Sequence, residues 1–246
     1  MQGTGHPHEA RSTPPRRGGA GLTAACTRPD TTTDIVIASV LVPATLVTFT
    51  IVGGFVGRGD TTVFDDRVRL LMLAHRPALL LAAFRWITTA GSVTPMIVYA
   101  IVVALLIAFR GRLLVAVSLL VAPAGAVVAY LRLKNVFARN RPSGIGNVIE
   151  GTYSFPSAHA TTSTAVCCTL AYICWRERLL RGPAALVLGV VAPVLIGSSR
   201  VILDVHWATD VLGGWVAGLG IAALAGLLYQ LVRYVEARRP FNEVRT

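Results

Sequence analysis

Apolar residues in this chain run in long unbroken blocks, without the two-residue alternation of a strand or the 3.6-residue stripe of a surface helix. Six blocks stand out, at 35–57, 93–109, 113–131, 156–175, 184–203 and 211–232. A hydrocarbon core about 30 Å thick needs about 20 apolar residues in a helix, so each block predicts a crossing. Between the first two, residues 60–91 mix charges with runs at 68–74 and 78–87 that are too short to cross, and Arg85 interrupts the second. That mixture predicts a helix lying in the membrane interface. The expected fold is therefore all-α: a six-transmembrane helix bundle with an interfacial amphipathic segment between spans one and two, over residues 34–235.

Outside the blocks the chain changes character. Residues 1–33 are rich in Gly, Pro, Thr and Arg and carry no sustained apolar run. Such a segment buries too little surface to offset its ordering entropy and is expected to be a disordered basic tail. His6 and His8 within it read as inert, and residues 22–26 resemble a lipoprotein cleavage site but lack the apolar stretch that should precede one. Residues 236–246 form a short basic tail at the other end.

Composition supports the membrane reading. Hydrophobic residues make up 54% of the 246 and charged residues only 14%, against about 25% charged in a soluble domain. The net charge of +11 raises the question of nucleic acid. Here the arginines cluster at the ends of apolar blocks, which is the pattern of headgroup contact and the positive-inside rule, so no nucleic-acid partner is expected. Cys167, Cys168 and Cys174 share one block and Cys26 lies in the tail, which fits neither a disulfide framework nor zinc-ligand spacing.

Arg110, Arg112, Arg176, Arg178, Arg181 and the terminal arginines fall on one side of the six-span frame. The positive-inside rule makes that side cytoplasmic, with both termini there. The loops at 132–154 and 199–210 then face outward, carrying Arg132, Lys134, Arg139, Arg141 and Arg200. The rule does not place cations there, so they need a functional reason.

Three polar constellations sit in or beside those loops. The first reads K-x6-R-P, from Lys134 to Arg141 and Pro142; the second is F-P-S-A-H, with Ser157, Ala158 and His159 opening the fourth span; the third is S-R-x5-H-x3-D, with Ser199, Arg200, His206 and Asp210. Singly each has a bland reading: cations snorkel to headgroups, Ser after Pro caps a helix, and a lone His is commonly structural. Together they describe a phosphate pocket. On a helix His206 and Asp210 share a face, so the carboxylate can hold one imidazole nitrogen protonated and leave the other free to attack. Ser157 and His159 lie at a helix N-terminus, where unpaired N–H groups attract anions. Lys134, Arg141 and Arg200 supply positive charge, and His159 is a second imidazole able to act as acid. No acidic cluster for Mg²⁺ is evident, so neither metal nor cofactor is expected.

These motifs resemble the type 2 phosphatidic acid phosphatase superfamily, which also contains the vanadium haloperoxidases. Ten fixed positions of the family's K-x6-R-P, P-S-G-H and S-R-x5-H-x3-D signatures match in order and spacing, and the likeness covers about residues 35–232. The resemblance implies a metal-independent lipid phosphatase of the membrane branch. His206 would be the nucleophile, Asp210 its orienting partner and His159 the acid for the leaving oxygen, while Lys134, Arg141, Ser157 and Arg200 hold the phosphate. Ala158 stands where the family usually has Gly; its backbone N–H survives, but the added methyl puts efficiency in doubt. The substrate stays open among phosphatidic acid, phosphatidylglycerol phosphate and a polyprenyl diphosphate such as the undecaprenyl carrier. A composition rich in Ala, Val and Arg suggests a bacterial plasma membrane, with the site on its outer face. Phosphoryl or headgroup transfer to another acceptor is an alternative. A transporter is a further one, disfavoured by spans whose centres are nearly free of charge and by the lack of an internal repeat.

Overall fold

The structure, a computed structural model, describes residues 31–142 and 152–238. The expected tails therefore lie largely outside the described residues, as does the middle of the 132–154 loop. Every element among the described residues is helical: α1 (Thr31–Arg58), α2 (Thr62–Ala74), α3 (Ala78–Ala90), α4 (Val93–Phe109), α5 (Leu113–Phe137), α6 (Ala158–Arg176), α7 (Gly182–Ile202) and α8 (Ala208–Arg238). One π-helical turn, Val187–Val191, interrupts α7.

Four of these helices, α1, α5, α7 and α8, are long and apolar enough to cross a membrane, and the pair α2 and α3, bent by 120° at its break, would add a fifth. The six apolar blocks read from sequence thus do not all qualify by length and composition. Helix α4 has 17 residues, about 26 Å at 1.5 Å per residue. Helix α6 is long enough at 19 residues, but it carries Thr161, Thr162, Ser163, Thr164 and Thr169. It tolerates them because it is the bundle's centre, buried along most of its length among α4, α5, α7 and α8.

Helix α4 shows how the outer helices are built. Met96, Ala100, Ala104 and Ile107 recur at three- and four-residue intervals and bury against Val115, Leu119, Val166 and Leu170 of α5 and α6. Val98, Ile101, Val102, Leu105 and Leu106 remain exposed on the other face. The same outward display of large aliphatics continues on α1 with Val40, Leu46, Val47 and Ile51. An apolar belt of this extent does not suit water.

The contact that brings the polar ends together is between α6 and α8. Their backbones approach because α8 has Gly214 and Gly218 facing α6: a Cβ on Gly214 would lie 2.9 Å from the Ser157 carbonyl oxygen, and one on Gly218 would lie 2.6 Å from that of Thr161. Small residues four apart are the usual means of close helix approach in lipid. At the far end of the bundle, Asp34 accepts from Tyr172, Gln230 and Arg176, and Glu177 from Arg112, Tyr229 and Arg233. These bonds tie α1, α6, α8 and the α4–α5 turn.

Gly218→Ala and Gly57→Ala gain the same helix propensity, but nothing lies within 4 Å of a Cβ at Gly57. Thermal unfolding in detergent should show Gly218→Ala less stable than Gly57→Ala by about 1–3 kcal/mol, the usual cost of overpacking. Equal stability of the two variants would contradict the backbone contact.

Candidate active site

Helix α5 runs past the expected span end at residue 131 to Phe137, so Lys134 sits on its last turn instead of in a loop. A helix can continue through the interface while its lysine stem is covered, and Lys134 is buried, donating to Thr152 Oγ1 at 3.1 Å and to the Tyr153 carbonyl. Ala138 ends the helix in the left-handed region, φ 43°, with its N–H returning to the Lys134 carbonyl at 2.9 Å. The chain then extends, and Arg139 and Arg141 reach different parts of the site.

Arg141 Nη1 lies 3.0 Å from His206 Nε2 and 2.8 Å from the Val205 carbonyl oxygen, and its Nε donates to the Thr152 carbonyl at 2.8 Å. Arg200, on the last turn of α7, is buried and donates from Nη1 to Thr88 Oγ1 of α3 at 2.8 Å. Its own carbonyl accepts from the N–H groups of Val205 and His206 at 3.1 and 3.3 Å. With Asp204 at φ 58°, these bonds turn the chain sharply into His206.

His206 therefore stands in the turn before α8, whereas the i,i+4 spacing predicts it on the helix with Asp210. The pairing itself is formed: His206 Nδ1 is 3.3 Å from Asp210 Oδ2. Asp210, in the first turn of α8, also accepts from the Trp207 N–H at 2.9 Å through Oδ2, the acidic half of a capping box. With Nδ1 turned to the carboxylate, the ring's lone pair is on Nε2, facing Arg141. Both side chains are buried, and burial pushes the His206 pKa down to about 4. The nearby charges of Arg141 and Arg200 add to that effect, and together they outweigh the pull of Asp210. The imidazole is thus neutral, and nucleophilic, well below its usual range.

Ser157 is the N-cap of α6, and its N–H donates to the Asp210 carbonyl at 3.0 Å, which sets the N-terminus of α6 beside the start of α8. Its hydroxyl is buried with no hydrogen-bond partner among the described residues, so it is able to donate to a phosphate oxygen. Ala158 and His159 follow in the first turn, both half-buried. Ala158 has helical backbone, so nothing there demands the conformational freedom of the glycine usual at that position. A cavity of about 580 Å³ is lined by Lys134, Arg139, Arg141, Thr152 and Tyr153 among others, and meets the site through Arg141, which contacts His206.

The structure thus collects all three motifs at one end of the bundle. It also adds residues that the motifs do not name. Ser154 Oγ donates to Asp210 Oδ2 and lies 3.3 Å from His206 Nδ1. Arg139 donates to Asp210 Oδ1 at 2.7 Å and to Asp65 Oδ2 of α2 at 2.7 Å. Of these only Arg139 left a trace in the sequence, as a cation on the side where the charge rule places few. Arg132, another such cation, is exposed.

The family model of the PAP2 superfamily matches residues 111–235, just over half of the chain. The chain belongs to the PAP2 superfamily. It is 33% identical over 131 residues to an undecaprenyl-diphosphatase of Sulfolobus acidocaldarius, covering 50% of this chain and 60% of that protein. It is 38% identical over 91 residues to phosphatidylglycerophosphatase B of Bacillus subtilis, covering 35% of this chain and 44% of that one. The chain thus spans less than two thirds of the length of either relative. The crystal structure of a transmembrane PAP2-type phosphatidylglycerolphosphate phosphatase from Bacillus subtilis superposes with a TM-score of 0.63 at 26% identity. That match covers 80% of this chain and 97% of the other. With its apolar helices and exposed aliphatic belt, this PAP2 protein is an integral membrane protein.

A neutral His206 can be observed directly. In ¹⁵N-histidine-labelled protein in detergent, the ring resonances that vanish in His206→Gln should show one protonated and one bare nitrogen at pH 5.5. The sign follows from burial, which penalises the charged ring: protonation should set in only as pH falls toward about 4. A midpoint near the usual 6.5 would contradict it.

Proposed function

We propose that this PAP2 protein hydrolyses a membrane lipid phosphate or diphosphate through a phosphohistidine intermediate on His206. The observation that carries the reading is the His206 ring: Nδ1 is held by Asp210, and Nε2 is turned toward Arg141, a phosphate-binding residue of the signature. A bound phosphoryl group would take the Arg141 guanidinium off Nε2 and onto its own oxygens. Nε2 then attacks phosphorus, an N–P bond forms, and the P–O bond to the lipid breaks. His159 gives its proton to the leaving oxygen. In the second half, water delivers a proton to His159 as it attacks phosphorus, and the N–P bond breaks to release phosphate.

Lys134, Arg141, Arg200, Ser157 and the Ala158 N–H would neutralise and orient the transferring oxygens, which is most of what phosphoryl transfer needs. No metal is assigned a role. Among the described residues, the buried carboxylates around the site are each engaged by arginine, Asp65 and Asp210 by Arg139 and Asp204 by Arg69, which supports a reading in which cationic side chains do the work.

Undecaprenyl diphosphate and phosphatidylglycerol phosphate are the first substrates to test, because the two named relatives act on lipids of these kinds, with phosphatidic acid third. The six-span frame fits this role. Helix α6 is shielded from lipid and need not be apolar, α4 packs beside it, and the bent α2–α3 pair lies against the catalytic end. Positive-inside counting places that end on the outer face of a bacterial plasma membrane, with both termini cytoplasmic. Phosphoryl or headgroup transfer to another acceptor uses the same intermediate and is read from the products.

Purified protein should release phosphate from at least one of these three lipids at a rate unchanged by EDTA and inhibited by vanadate. His206→Ala should lower turnover at least 10³-fold, as loss of a covalent nucleophile does in other hydrolases, on the order of 10⁶-fold at most. Full activity of pure His206→Ala would remove the mechanism.

Orientation is tested separately. In a background without the native cysteines, Asn135→Cys should react with an impermeant thiol reagent in intact cells. Arg181→Cys should react only after lysis. The reverse labelling would place the site in the cytoplasm.

A further inference from the structure

Helix α2 lies outside all three motifs, yet one of its faces is spent on the catalytic segment. Asp65 is 1% exposed. Its Oδ1 accepts from the Thr209 N–H at 2.9 Å, and its Oδ2 accepts from Thr209 Oγ1 at 2.6 Å and Arg139 Nη2 at 2.7 Å. One turn later Arg69 grips Asp204 with two bonds, 2.6 and 3.0 Å. Thr61, one turn earlier, accepts from Arg139 Nη2 at 3.3 Å, and Arg76 beyond the helix reaches the Ile202 carbonyl at 3.4 Å. Thr61, Asp65 and Arg69 recur at intervals of four, so they form one stripe.

Arg139 is where this stripe meets the chemistry. Its Nη2 faces Asp65 while its Nη1 donates to Asp210 Oδ1 at 2.7 Å and to Thr209 Oγ1 at 2.8 Å. The other oxygen, Oδ2, takes Ser154, the Trp207 N–H and His206. The plane of the Asp210 carboxylate, which decides how squarely Oδ2 meets Nδ1–H, is thus set from the Oδ1 side by Arg139. Arg139 is in turn set by Asp65. A planar guanidinium can span two carboxylates in fixed directions; an ammonium cannot.

We propose that Asp65 and Arg139 are positioning residues for the nucleophile, holding Asp210, and through it the His206 ring, in line for attack. The proposal rests on the phosphohistidine reading above. Neither residue needs to touch the phosphate, so their loss should fall on kcat and spare KM. Asp65→Asn also leaves the Arg139 charge undivided on Asp210, which weakens the carboxylate's hold on Nδ1–H. An effect of about 10–100-fold on kcat is the scale set by residues that orient a ligand from behind, with KM changed less than about 3-fold.

A residue that only stabilised the bundle would lower the amount of folded protein without this split, and its cost would be independent of Asp210. The test is a set of cycles in purified protein, using the lipid that wild type turns over best. Asp65→Asn and Arg139→Lys should each lower kcat at near-constant KM, and Asp65→Glu should recover part of the loss. In an Asp210→Asn background, adding Asp65→Asn should cost less than about 3-fold more, because the group it acts through is already gone. If Asp65→Asn fails to insert, the Arg139→Lys cycle carries the same test. Wild-type kcat in both variants, or full additivity with Asp210→Asn, would overturn the positioning role while leaving the phosphatase reading intact. A wild-type protein that releases no phosphate from any of the three lipids, or a fully active His206→Ala, would overturn that reading and this proposal with it.

Discussion

One buried carboxylate organises the catalytic end of this molecule. Asp210 is fully buried, and an unpaired charge there would cost several kcal/mol. It is stable because donors converge on it from separate parts of the chain: Ser154 from the segment before α6, the Trp207 N–H and His206 from the turn before α8, and Arg139 from the stretch after α5. Each of those segments carries a residue of one of the three motifs. Satisfying the carboxylate therefore also assembles the site, and the need is electrostatic before it is catalytic.

The bundle makes that convergence reachable. Helices α6 and α8 begin at the same end, with the Ser157 N–H bonded to the Asp210 carbonyl, and they can lie this close because glycine faces the contact at Gly214 and Gly218. The N-terminus of α6 then opens into a region with Lys134, Arg141 and Arg200 around it, while the first N–H groups of α8 are taken by Asp210 and Asp65. Such a concentration of positive potential needs a negative partner, and a phosphate at the headgroup level of the membrane is one. The same field favours a neutral His206, so an arrangement suited to a phosphate also leaves Nε2 with its lone pair, as the proposed mechanism requires.

Much of this was legible in residue order. The motifs named His206, His159, Asp210, Lys134, Arg141, Ser157 and Arg200, and the structure brings their segments to one end of the bundle. Local expectations fared less evenly. Lys134 belongs to a helix that outlasts its apolar block, since a lysine stem can be buried at the interface while its ammonium is hydrogen-bonded. His206 precedes its helix because Arg200 and Asp204 turn the chain there, and a spacing of four cannot tell a helix from a helix cap. Helix α6 shows that an interior helix is free of the apolar requirement that lipid imposes on its neighbours, so its hydroxyl-bearing residues sit at the centre of an otherwise apolar bundle.

By itself the sequence determined the helical class, the membrane environment and the family signatures on which the proposed phosphate chemistry rests. These depend on block length, on charge at block ends and on the spacing of a few residues, all of which are local. Only the tertiary structure decided which other side chains meet Asp210, the partner of the proposed nucleophile, and the chain around it. Asp65 and Thr209 are 144 residues apart, yet they share two hydrogen bonds; Arg139 reaches Asp210 across 71. Contacts of that range follow from how α2, α5 and α8 pack. A buried carboxylate accepts its donors from whichever segments the packing brings within about 3 Å.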